Sequence, residues 1–185
     1  STVSLIGMVF SLILSIGLPI VLLILVKIKL NAKLTSFVIG CATFIVFALM
    51  LEPILHSVVL TATGTLLTDN VILYGLYGGL AAALFEETGR LVGMKFFMKD
   101  SLNKPNALMY GIGHGGIEAI LLVGMTYVSN LMTAFMINSG VLQASVELVD
   151  AELRQTTFEQ IKVLWELPSW QFYMAGVERL AALVL

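Results

Sequence analysis

The opening run of this chain, Ser1 to Val26, is apolar over a length that can cross a lipid bilayer, and comparable runs recur along the sequence. Spans are expected at 3–26, 34–58, 71–98, 107–137 and 171–185, each set off by a polar or Gly/Pro-marked break. Composition agrees, with 58% hydrophobic residues, 12% charged and a mean hydropathy of +0.98 over 185 residues, values that no ordinary soluble domain combines. The expected fold is therefore all-α, a polytopic membrane helix bundle of about five spans that forms one transmembrane domain over residues 1–185. No basic region precedes the opening run and no small-residue cleavage pattern follows it, so it reads as a helix rather than a signal peptide. The last run is about 22 Å long at 1.5 Å per residue, short of the ~30 Å hydrocarbon core. That helix is expected to be truncated here and to continue beyond residue 185, and the missing initiator methionine points to a processed or trimmed chain.

Charge sets the orientation. Lys27, Lys29 and Lys33 fill the first connection and Lys95, Lys99 and Lys104 flank the third, whereas the second, TGTLLTDN, has no basic residue. The positive-inside rule makes the first and third connections cytoplasmic and places the N-terminus outside. The polar stretch at about 138–170 then lies outside as well, as one or two amphipathic helices with Val146, Leu148, Leu153, Phe158, Ile161, Leu164 and Trp165 for an apolar side. A net charge of −2 suggests neither nucleic acid nor an acidic lipid surface as a general partner. The single Cys41 allows no internal disulfide and sits in VIGCATF as a small apolar residue.

Against this background, LFEETGRLVG places Glu86, Glu87 and Arg90 inside the third span. With Glu118, Glu178 and Arg179 they represent roughly 15–20 kcal/mol of naive insertion cost, so something must offset them. On one helix, Glu86 and Arg90 are four apart and Glu87 and Arg90 three apart, so the guanidinium can reach either acid. The next span offers YGIGHGGIEA, in which Gly111, His114, Gly115 and Glu118 form one helical stripe. Counted from the shared connection, Glu86 and Glu118 lie about 18 Å deep and Arg90 and His114 about 12 Å deep. Glu86, Arg90, His114 and Glu118 are expected around one concavity, helped by glycines such as Gly75, Gly78, Gly79, Gly89, Gly93, Gly111 and Gly113. Glu178 and Arg179, being adjacent, point about 100° apart, so one is expected to face the cluster and the other to pair elsewhere. Glu52 and His56 share a face beside Pro53 and read as an interfacial pair. The methionines read as lipid-facing or core filler, and Tyr110, Tyr127, Trp165 and Trp170 as interface anchors.

The phrase EETGR, followed after a short connection by YGIGHGG with Tyr110 four residues before His114, resembles the CAAX-protease and bacteriocin-processing superfamily of intramembrane proteases. GHGGIEA looks more closely like its YhfC-type branch of intramembrane metalloproteases. The resemblance implies hydrolysis of a peptide bond in a membrane-associated peptide or lipidated protein, in a bacterial cell membrane. It implies Glu86 as general base on a water, Glu87 and Arg90 as its support, and His114 as the second-motif histidine. The superfamily's later histidine has no counterpart after His114; either Glu178 and Arg179 stand in that region or the part lies beyond Leu185.

A metal-free glutamate mechanism fits the residues better than zinc, the alternative being zinc held by His114, Glu118 and Glu86. Two other classes remain open. Glycine-rich helices with acids at mid-depth also make ion or proton paths, and an acid cluster paired with arginine also suits a non-catalytic scaffold or immunity protein.

Overall fold

Four long helices follow one another in the computed structural model, which describes residues 1–147 and 150–184. Three of them, Thr2–Leu30, Leu34–Thr63 and Lys104–Asn138, are long and apolar enough to cross a membrane. The remaining long helix, third in order, runs over Val71–Val92 and continues as a π-helical turn, Gly93–Phe97. It occupies the expected third span, and its Glu86, Glu87, Arg90 and Lys95 lower its apolar character. A C-terminal helix, Ser169–Val184, begins two residues ahead of the expected fifth span. The protein is a polytopic helical membrane protein. Leu148 and Leu185, assigned above to an apolar face and to the last span, lie outside the described residues.

Prolines and glycines shape these helices. In the first helix the π-helical turn Ile13–Gly17 lies just before Pro19, and in the second Ile45–Leu51 lies just before Pro53. A proline lacks the N–H that its turn needs and its ring presses on the carbonyl four residues back, so the helix widens there. Gly64 ends the second helix at φ 55°, ψ −131°, a conformation open to glycine alone.

By its contacts the chain divides into two compact units, Val21–Ile117 and Ser1–Ile20 with Glu118–Leu185. In the first of these, Val26, Ala32, Met109 and Ile112 form a buried cluster joined by Leu22, Leu23 and Phe37. Asn106, 3% exposed, ties its connections together. Its Oδ1 accepts from the Lys33 backbone N–H at 2.8 Å, its Nδ2 donates to the Ser101 carbonyl at 2.7 Å, and its own N–H donates to Asn103 Oδ1 at 3.0 Å. This buried amide holds the start of the fourth helix at Lys104, three residues ahead of the expected boundary.

The other unit packs Met8, Tyr127 and Phe172 with Leu5, Leu12, Val123, Leu131, Leu164, Leu167 and Ala175. Its first and C-terminal helices approach through small residues: Ser4 meets Ser169 at 2.9 Å, and Ser11 Oγ donates to the Phe172 carbonyl. Close approach of this kind is how helices associate where lipid gives no hydrophobic drive. The stretch read as one or two amphipathic helices forms Val141–Val146, Ala151–Ile161 and Val163–Glu166. Val146 is buried and Leu164 joins the cluster, while Leu153, Phe158 and Trp165 remain exposed.

Two aromatic expectations are corrected. Tyr110 and Tyr127 are 1% and 7% exposed and are core residues, not interface anchors. Each phenol has an internal partner, Thr43 Oγ1 at 2.7 Å and the Phe172 carbonyl at 3.4 Å, which removes the need for a wet end. Trp165 and Trp170 do face outward.

Candidate functional site

His114 lies within the fourth helix, where a close crossing with the second helix fixes the backbone. A Cβ on Gly40 would stand 2.2 Å from the Tyr110 carbonyl oxygen and 2.8 Å from the His114 nitrogen, and one on Gly113 would stand 2.1 Å from the Phe37 carbonyl oxygen. Only glycine at both positions lets the two backbones meet. Cys41 Sγ adds a weak bond to the Gly113 carbonyl at 3.3 Å. Around the imidazole, Phe44 packs edge-on at 5.3 Å and Tyr110 lies stacked at 6.0 Å. Tyr110 is itself held by Thr43, whose hydroxyl reaches the Gly40 carbonyl at 2.9 Å. On the third helix, Gly93 gives room for the Tyr110 ring and Gly89 for Phe47.

This cage leaves the His114 side chain 6% exposed. Neither ring nitrogen has a hydrogen-bond partner among the described residues. Orphaned polar atoms of this kind are rare in folded interiors and ask for a ligand or a water. Glu86 of the third helix brings its Oε2 to 3.8 Å from His114 Nε2, with its side chain 33% exposed. That separation is too long for a hydrogen bond, and a water at about 2.8 Å from each atom would bridge them.

The expected depth register is corrected by one turn. Glu86 is eleven residues before Phe97 and His114 ten after Lys104, so these two stand level. Placing the start of the fourth helix after Asn106 had set Glu86 level with Glu118 instead.

The remaining charges have partners of their own. Arg90 Nη1 donates to Glu87 Oε1 at 2.7 Å, and these side chains are 45% and 64% exposed. They line a groove of about 440 Å³ with Leu91, Met94, Lys95 and Leu102. In the unit that contains Glu118, Arg179 is buried and bridges two acids, with Nη1 on Glu118 Oε1 at 2.5 Å and Nη2 on Glu178 Oε1 at 2.6 Å. Adjacency in sequence thus did not send Glu178 and Arg179 to separate partners. In the Val21–Ile117 unit, His56 Nε2 lies 3.1 Å from Glu52 Oε1, as their spacing suggested, and its Nδ1 lies 2.8 Å from Tyr77 Oη.

Gly40, Thr43 and Phe44 had gone unnoticed as parts of a site. The signal was one glycine in VIGCATF, placed where the second helix crosses the fourth.

A family model described as YhfC intramembrane metalloprotease matches residues 14–185. The chain belongs to this family. It is 38% identical over 170 residues to "Uncharacterized membrane protein YhfC" of Bacillus subtilis (strain 168), an alignment covering 91% of this chain and 65% of that relative. It thus spans about two thirds of the length of the curated relative it matches. No solved structure matches the chain.

The family is described as a metalloprotease, and the side chains can be tested against a metal. A catalytic zinc takes three protein ligands and a water. Among the described residues, no three His, Cys, Asp or Glu side chains gather as such a set. His114 and Glu86 supply two donors, and Glu118 is engaged by Arg179. The described residues therefore do not by themselves make up a zinc ligand set.

Proposed function

We propose that this YhfC-family chain hydrolyses a peptide bond in a membrane-associated substrate, with Glu86 and His114 acting on one water. The observation that carries this reading is the buried imidazole, neither of whose ring nitrogens has a hydrogen-bond partner among the described residues, with Nε2 3.8 Å from the Glu86 carboxylate. Glu86 accepts a proton from the water as the water oxygen attacks the scissile carbonyl carbon. His114 holds that water by donating from Nε2–H to its oxygen, and the same N–H meets the oxyanion as it forms. The C–N bond then breaks, and the proton held by Glu86 passes to the departing amine. Such a base is worth about 10²–10⁴ in rate and such a donor about 10²–10³. The walls of Phe44 and Tyr110 keep water scarce around the imidazole, which strengthens each of these interactions.

Glu87 holds Arg90, and the pair stabilises the end of the third helix on which Glu86 is carried. Glu118 acts through Arg179, with Glu178, as a positioning ion pair for the fourth and C-terminal helices. The distant kinship with CAAX-type proteases and the N-terminus-outside orientation belong to the same proposal, as does a bacterial cell membrane as the setting. The kinship rests on the EETGR and GHGG phrases and the orientation on the lysine distribution.

A second reading has one observation in its favour. The hydrogen-bonded line Glu52, His56, Tyr77 is a carboxylate, imidazole and phenol in series, which suits proton movement. The two readings separate in one experiment on the full-length protein in liposomes. Glu86→Gln and His114→Ala are each expected to lower cleavage of a membrane peptide by about 10²-fold or more while leaving proton flux unchanged. Unchanged cleavage in both variants overturns the protease assignment.

A further inference from the structure

The net charge of −2 argues against an acidic lipid surface for the chain as a whole, but the charge is unevenly spread. Lys27, Lys29, Lys33, Lys95, Lys99 and Lys104 all fall in the Val21–Ile117 unit, at helix ends or in the connections between them. Among the described residues, no carboxylate forms an ion pair with any of these six. Asp100 is the one acid in the connection that Lys99 and Lys104 share. Such a concentration of cation at the membrane edge calls for a counter-charge from outside the chain.

The groove beside Glu87 and Arg90 shows where one such anion fits. Arg90 is already held by Glu87, so Lys95 brings the uncompensated charge to the lining. Its ammonium stands 5.8 Å from the Phe96 ring centroid, and Phe96 and Phe97 project outward, 66% and 68% exposed. Leu91, Met94 and Leu102 give the groove its apolar lining. A phosphate joined to carbon chains matches this lining of cation and hydrocarbon.

We propose that this groove binds the headgroup of an anionic phospholipid, with Lys95 on the phosphodiester and an acyl chain along Leu91, Met94 and Leu102.

The test uses the full chain in dodecyl maltoside, titrated with a fluorescent phosphatidylglycerol. Unlabelled phosphatidylglycerol is expected to compete about tenfold better than phosphatidylcholine, and millimolar inorganic phosphate not to compete. Lys95→Gln is expected to weaken binding about fivefold, Lys95→Arg to restore it, and Lys162→Gln, outside the groove, to leave it unchanged. Equal competition by the two lipids, equal affinity of the Lys95→Gln and Lys162→Gln variants, or displacement by phosphate alone each overturns the proposal. Circular dichroism confirms that every variant keeps its helix content. Glu86 and His114 are intact throughout, so failure here leaves the proteolytic reading standing.

Discussion

Residues decide how near the second and fourth helices can come, and two glycines carry most of that decision. Gly40 and Gly113 each face a backbone carbonyl at a distance where a Cβ cannot fit, 2.2 Å and 2.1 Å. Because the blocking atoms are backbone, relief requires the helices to separate. Gly40→Ala and Gly113→Ala are expected to cost about 1–3 kcal/mol each and to lower cleavage through displacement of His114. Gly75, Gly78 and Gly79 make the contrast, with open space where their Cβ atoms would be. Alanine at these positions is expected to be neutral or to stabilise by about 0.4–1 kcal/mol. Thermal unfolding in detergent separates the two groups; equal effects in both would contradict the account of the crossing. The sequence reading named the glycines of the third and fourth helices as a class, and only packing tells those that are contacts from those that are spacers.

At the scale of elements, the charges carried by the helices have local partners. Arg179 joins the fourth and C-terminal helices by bridging Glu118 and Glu178, with side-chain exposures of 10%, 21% and 64%. Removing the guanidinium leaves the partly buried Glu118 without its partner, so Arg179→Gln is expected to cost about 1–3 kcal/mol. Glu178→Gln, at an exposed side chain, is expected to cost no more than about 1 kcal/mol. The same melting measurement checks both, and an Arg179→Gln protein as stable as the parent would remove the structural role given to this bridge. The long helices were legible because length and hydropathy need no knowledge of the partner. Their registers were not, because they depend on where Asn106 anchors the connection, and a buried asparagine in a polar loop looks like any other loop residue. The π-helical turns before Pro19 and Pro53 follow from proline chemistry, and the Pro53 break was anticipated as an opening of the ladder.

For the whole molecule, the family and the fold class were legible from EETGR, GHGG and the apolar runs, since each is a local pattern. The geometry of the candidate site was legible in part. Glu86 and His114 were named from spacing and do stand together, while Glu118 was named with them and is held by Arg179. Helical spacing gives the face a residue occupies but not which neighbour claims it, and a nearby guanidinium outcompetes a more distant imidazole for a carboxylate. The central claim is that Glu86 and His114 act on a single water. A double-mutant cycle on membrane-peptide cleavage tests it most directly, comparing Glu86→Gln, His114→Ala and the double variant in full-length protein. If both groups serve one water, the double variant is expected to be no slower than the slower single variant, within a factor of about three. Losses that multiply, or a single variant that keeps parental activity, would contradict the claim.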